Sequence, residues 1–383
     1  MSTHLFIPST LVGRQAEVAK ICQILATDGD LLLAGVPGSG RRTLLRHAAQ
    51  LMQCQMIEID CLRATDSTRF LHLLAEGIMT TFSTPDDLAL VERICTASPL
   101  LLKPASPDVK HLLWPADADE WQVFQALLSL PQILAEARNS RVVIVFQNFP
   151  HLRSWDRKEK WQTYLRQEVH IQDRVSYALI ATVAERWIQH SNMQVVFLGP
   201  LRDEEIVSWL IPMMAAEGLK FDSEGHALAL FLDYVQGHFG DALALARRIW
   251  LTVRSERAQL FPRPSRSNAT QGQSLENAAS FFLVHPYQVH RSALALVQDL
   301  SVTFESLILL LPPSQVRVLE SLALDPTPSP QAREYIRKHR LSRGGGLQGA
   351  LASLEQKGLV YGADYNYRLT IPLLALWLRH RLA

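Results

Sequence analysis

The feature that most constrains this fold is a glycine-rich turn set between an apolar run and an amphipathic stretch. Residues 30–34 (DLLLA) are apolar enough for a buried strand, residues 35–43 read Gly-Val-Pro-Gly-Ser-Gly-Arg-Arg-Thr, and residues 42–52 have helical spacing. Gly35 and Gly40 match the pattern G-x-x-x-x-G-K-[ST], with Val36, Pro37, Gly38 and Ser39 between them. Such glycines let the backbone curl until successive N–H groups point at one anion, at the start of a helix whose dipole adds attraction. A strand, this loop and a helix, in that order, open a parallel α/β domain.

The chemistry of the loop departs from its shape. The lysine position holds Arg41, the hydroxyl position holds Arg42, and Thr43 carries a hydroxyl one residue late. A planar guanidinium is no simple replacement for a compact ammonium. Nucleotide hydrolysis also calls for an acidic pair at the end of an apolar strand. Residues 141–146 (RVVIVF) form such a strand, of the unbroken kind that parallel sheets bury on both faces, but it runs into Gln147 and Asn148. Neither brings charge for Mg2+, and Asn148 cannot serve as a general base. These residues predict weak or lost hydrolysis and no metal site. They leave ATP or ADP binding open, because the loop backbone survives and two arginines can pair with phosphates.

The rest of the chain extends the pattern. Residues 55–60, 177–182 and 194–198 read as further strands, and 14–26, 67–82 and 119–138 as helices, the last interrupted by Pro131. Residues 97–117, with four prolines, read as a surface excursion. After Gly199-Pro200 the strand signal stops, and 202–216, 224–236 and 240–257 read as helices. Residues 261–276 (FPRPSRSNATQGQSLE) read as a linker and 277–310 as helical. Helices over 314–324, 330–339 and 347–356, a hairpin over 359–369 and a last helix over 371–382 make a winged helix-turn-helix. The expected fold class is α/β: a parallel sheet with helices on both faces over residues 1–200, a helical lid over 201–260, a linker and connecting helices over 261–311, and a winged helix over 312–383.

Taken together, Leu11-Val12-Gly13-Arg14, the 35–43 loop, RVVIVFQNFPHL, VSYALIAT (175–182), FLGPLRDEEIVSWL (197–210) and YVQGHFGDALALARRIW (234–250) resemble the AAA+/STAND-type P-loop NTPases of the archaeal-ATPase and Orc/Cdc6-like group. The C-terminal LEQKGLVYG…YRLTIPLLALWLRHRL resembles the winged-helix end of the same group. The resemblance spans nearly the whole chain, in order. It implies that Gly13 and Arg14 lie near the adenine and that Gly35 to Thr43 wrap the phosphates. It places Gln147 and Asn148 at the Walker B positions and Thr182 near a sensor position, and it makes Arg247 or Arg248 the lid arginine that senses the γ-phosphate. Phe239 follows Gly237-His238 where relatives often carry proline. Assembly into a homo-oligomer stays open.

Charge divides unevenly. Residues 331–383 hold nine Lys/Arg and three Asp/Glu, a net of +6, which against +1 for the whole chain leaves −5 for residues 1–330. Arg333, Arg337, Lys338, Arg340 and Arg343 cluster in and just after the second helix of the winged motif, suiting DNA phosphates or a protein partner. Gly344-Gly345-Gly346 stand where base-reading side chains usually project, so any DNA contact is expected to be weakly sequence-specific. Cys22, Cys54, Cys61 and Cys95 form no C-x-x-C pair and read as reduced thiols. No leader or membrane-length apolar run is seen, which points to a cytoplasmic protein. Three functional readings follow: a nucleotide-responsive switch acting through the winged helix, a pseudo-ATPase scaffold or assembly subunit, and an active ATPase with unusual ligands.

Overall fold

The computed structural model describes all residues except 1–5, 9, 97, 107–108, 169–172, 185–190, 261–281, 343 and 383. The expected linker over 261–276 and Arg343 therefore lie outside the described residues. The chain divides into two compact units. One comprises Arg14–Gly35 and Gly40–Leu198; the other comprises Met1–Gly13, Val36–Ser39 and Gly199–Ala383.

In the first unit, apolar runs and the alternating segment QMIEID become the strands of one parallel sheet. They are β1 (Leu31–Gly35), β2 (Gln55–Asp60), β5 (Val142–Gln147), β6 (Val175–Ala181) and β7 (Gln194–Leu198), in spatial order β2-β5-β6-β1-β7. Every pairing is parallel. Side chains of β1, β5 and β6 are buried along nearly their whole length, because alternate residues face opposite sides and both sides are covered. Helices α3 (Ser67–Thr81) and α5 (Glu120–Arg138) pack one face through Phe70, Leu74, Phe124 and Leu127 against Ile57, Ile144 and Phe146. Helices α1 (Gln15–Ala26) and α2 (Arg41–Leu51) bury Ile21, Ile24, Leu44 and Leu45.

Three expectations need correction here. The excursion at 97–117 contains an antiparallel pair, β3 (Leu101–Ser106) and β4 (Val109–Leu113), where Leu112 is buried. Pro131 does not interrupt α5. A proline removes one helix hydrogen bond, but buried Leu127, Leu128, Leu130 and Leu134 hold the helix to the core on both sides of it. Helices α4 (Pro85–Cys95) and α6 (Lys160–Glu168) were not anticipated; α4 starts at a Thr84/Asp87 capping box with Pro85 in its first turn.

The second unit is mainly helical: α7 (Asp203–Ala216), α8 (Ala227–Val235), α9 (Phe239–Leu260), α10 (Pro286–Asp299) and α11 (Ser301–Leu309), then α12 (Pro313–Leu324), α13 (Arg333–Lys338), α14 (Gly345–Gln356) and α15 (Pro372–Leu382). The strand signal does not end at Gly199-Pro200, since β8 (Leu219–Phe221) pairs in parallel with β9 (Phe282–Val284), where a helix was expected. The expected hairpin at 359–369 shrinks to a single bridge, Val360 with Leu369. Its short loop spends its residues on a 3-10 turn over Ala363–Tyr365, with Asn366 and Tyr367 at positive φ. One core joins Ile206, Phe231 and Ile249, Val289 and Ala293, and Leu319, Leu354 and Leu374, so lid, connecting helices and winged helix share a single hydrophobic interior. Among the described residues, no single helix is long and apolar enough to cross a membrane.

Candidate functional site: the phosphate loop and its surroundings

The loop has the backbone that its glycines predict. Gly38 and Gly40 adopt φ of 83° and 86°, values open to glycine at little cost. Ser39 N–H closes a turn onto the Val36 carbonyl, and Leu44 N–H bonds the Gly40 carbonyl to begin α2. No atom lies within 4 Å of a Cβ built on Gly40, which leaves the helix entrance open.

The side chains are turned to other uses. Arg41 extends to the end of β6, where its Nη1 donates to the Ala181 carbonyl at 2.8 Å. Burial pushes this guanidinium below its ordinary pKa. Thr182, the sensor candidate, is the next residue along. Arg42 does not face the loop opening either: its Nε donates to Glu58 Oε2 at 2.7 Å, and Arg46 pairs with the other oxygen of the same carboxylate. Thr43 is exposed in the first turn of α2.

Gln147 and Asn148 end β5 as expected, and both are occupied by acids of the neighbouring strand. Gln147 Nε2 donates to Glu58 Oε2 at 2.7 Å, and Asn148 Nδ2 donates to Asp60 Oδ1 at 2.9 Å. The register explains it, since Asp60 lies directly opposite Gln147 in the β2–β5 pairing. Burial alone would raise the Glu58 carboxyl, but hydrogen bonds from Arg46 and Arg42 and their charges outweigh it and hold the pKa below the ordinary value. Asp60 also accepts Leu62 N–H. Among the described residues no group of three or more His, Cys, Asp or Glu is gathered to hold a metal. Glu58 and Asp60 are both engaged by protein donors.

The remaining sequence candidates are placed as follows. Gly13 has φ 62°, and a Cβ there would meet Glu205 at 2.5 Å. Arg14 is left-handed and buried, and pairs with Glu17 at 3.0 Å. In the lid, Arg247 is half-buried and Arg248 pairs with Asp299 at 2.7 Å. In the winged helix, Arg333, Arg337 and Arg340 are exposed, whereas Lys338 pairs with Asp325 at 2.6 Å, as does His339 at 3.2 Å. Helix α14 begins at Gly345 after Gly344 at φ 71°, and Gly345, Gly346, Gln348 and Gly349 are exposed.

Four residues that sequence reasoning did not single out shape the site. Glu58 and Asp60 gave a signal only as polar residues in an otherwise apolar strand. His238 and Asp241 open the lid's long helix. His238 Nε2 lies 3.4 Å from the Pro37 carbonyl, within the unit to which residues 36–39 belong.

The fold has known counterparts. The structure resembles a Walker-type ATPase of Pyrococcus abyssi, with a TM-score of 0.62 at 15% identity, over 98% of each chain. It also resembles the ORC2 protein of Aeropyrum pernix, solved with ADPNP and ADP, with a TM-score of 0.52 at 14% identity, over 100% of this chain and 98% of that one. A family model described as a probable winged helix domain matches residues 302–380. No curated protein sequence matches the chain.

Proposed function

We propose that this chain, which has the P-loop fold of the Walker-type and ORC-type ATPases and ends in a winged helix, binds a nucleotide without efficient hydrolysis and passes its state to a DNA or protein partner. The observation that carries the reading is the split within the loop. Its backbone keeps the curl that takes a phosphate, while Arg41, Arg42, Gln147 and Asn148 are all bonded to other protein groups. Backbone N–H groups give affinity for phosphate. Hydrolysis needs a metal ligand and a base, and Gln147 and Asn148 supply neither.

The partner end is the winged helix. Arg333, Arg337 and Arg340 offer charge without internal ion pairs among the interactions described, and a glycine-led recognition helix favours phosphate contacts over base reading. Lid and winged helix share one core, which favours their responding as a single body. We place the protein in the cytoplasm, with a homo-oligomer as one form its partner can take.

The test is thermal stability with ATP or ADP, with and without Mg2+. A ligand that binds only the native state at 100 times its Kd stabilises by about 2.7 kcal/mol. The expected result is Mg2+-independent stabilisation without phosphate release. No shift at millimolar nucleotide leaves the scaffold reading, which the internal Glu58–Arg42–Arg46 cluster favours. Steady turnover that Arg41→Ala abolishes would overturn the claim of lost hydrolysis.

A further inference from the structure

Residues 36–39, the tip of the phosphate loop, lie in the same compact unit as the lid and the winged helix. The contact there is made by His238, between Gly237 at φ 80° and the start of α9. The imidazole is 9% exposed. Its Nε2 reaches the Pro37 carbonyl at 3.4 Å, and its ring covers Gly38 so closely that a Cβ there would sit 2.7 Å from Nε2. On the other side, Nδ1 lies 3.1 Å from Asp241 N and 3.0 Å from Asp241 Oδ1. Asp241 is itself buried, and its second oxygen accepts Leu373 N–H at 3.1 Å. Leu373 is the second residue of α15, the last helix of the winged domain. A carboxylate there also suits the positive end of that helix.

We propose that His238 latches the phosphate loop to the last helix of the winged domain through Asp241, and that protonation of the imidazole tightens the latch. Two bonding patterns are available to the ring. When neutral, Nδ1 accepts Asp241 N–H while Nε2–H donates to Pro37. When protonated, Nδ1–H donates to Asp241 Oδ1 and Nε2–H still donates to Pro37. The proton thus exchanges the bond from Asp241 N–H for a charge-assisted bond to the carboxylate that holds α15, without giving up the loop. Asp241 is the charged group that faces the ring; the loop at Pro37 and Gly38 and the start of α15 at Leu373 present backbone. Burial pulls the imidazole pKa down, but the Asp241 hydrogen bond and charge and the Pro37 carbonyl outweigh it and raise it above the ordinary value. A raised pKa in the folded state sets the direction. The latch is complete below about pH 6.5, the unfolded value, and is lost as pH rises through the folded one.

The latch deepens the nucleotide response proposed above, since it links the loop to the partner-binding domain, but it can be observed without nucleotide. The experiment is hydrogen exchange on the full chain from pH 5.5 to 8.5, corrected for the intrinsic pH dependence. The expected result is that protection at the start of α15 and at Gly38–Ser39 falls together, by about tenfold or more, across one titration. His238→Gln, which still offers an amide donor to Pro37, should flatten that dependence. So should Asp241→Asn, which keeps an acceptor for Leu373 but removes the charge. A pH dependence that survives both variants, or that moves the loop and α15 at different midpoints, overturns the latch. A parallel nucleotide titration separates the two ideas: no thermal shift with an intact pH response removes nucleotide binding and leaves the latch standing.

Discussion

Arg41 stands where a phosphate-gripping lysine is expected, and its hydrogen bond makes a sharp prediction. Arg41→Met keeps an unbranched apolar stem and removes the donor to Ala181. Net contributions of hydrogen bonds involving a charged group run to about 1.5–3 kcal/mol; for a group only partly buried, the loss here is about 1–2 kcal/mol. The unit containing the bond is of a size at which each kcal/mol moves Tm by about 2–4 °C, so the nucleotide-free protein should melt about 2–8 °C lower. Its affinity for ADP should change less than about threefold, because the guanidinium is turned toward the end of β6. Scanning calorimetry without nucleotide and a fluorescence titration with ADP measure the two quantities on one preparation. Arg41→Lys should lose the same stability yet bind nucleotide more tightly, since a freed ammonium can reach a phosphate. An Arg41→Met protein that melts like the parent but loses tenfold or more in ADP affinity would refute the argument, for it would show that the arginine grips the ligand.

Further predictions follow from the same contacts. Glu58→Gln should cost about 1–2 kcal/mol in urea unfolding at neutral pH, because Arg42 and Arg46 lose their shared counter-charge. The Glu58 pKa is lowered in the fold, so the difference from the parent should persist above the ordinary carboxylate range and vanish as pH falls through the folded value; an unchanged gap at the acid end contradicts the assignment. Replacing Arg333, Arg337 and Arg340 together by alanine should weaken binding to duplex DNA and reduce the slope of log affinity against log salt by about 3, at about 0.9 per phosphate contact, whereas an unchanged slope excludes this surface. Cys61 is fully buried, with its thiol pKa pushed up by burial, so iodoacetamide should label it only after unfolding, while the partly exposed Cys22, Cys54 and Cys95 react first.

What was legible in the sequence was local. Unbroken apolar runs marked the central strands β1 and β5, because a strand buried on both faces needs no polar alternation. The glycine spacing gave the loop, because only a few backbone conformations curl so tightly. Helical spacing and the breaks between runs marked most of the helices from α7 to α15. The misses were non-local or cooperative. Pro131 reads as a break until its neighbours are seen to be anchored in the core, and the β8–β9 pair joins segments some sixty residues apart in sequence.

The largest miss lies at the site. Arg42 and Gln147 look like two separate losses when each is compared with a hydrolysing loop. Strand order sets β2 beside β5, and Glu58 Oε2 then accepts from both Arg42 Nε and Gln147 Nε2, each at 2.7 Å. An arginine in the first turn of α2 sets a cation against the unfavourable end of a helix dipole, and the half-buried acid on β2 offsets it. That acid in turn needs donors, and a glutamine supplies one where an aspartate would repel it. Hydrogen bonding therefore ties Arg42 and Gln147 to one carboxylate. Gln147→Asp alone would put two carboxylates against each other and should lower stability; changing Arg42, Glu58 and Gln147 together should avoid that repulsion.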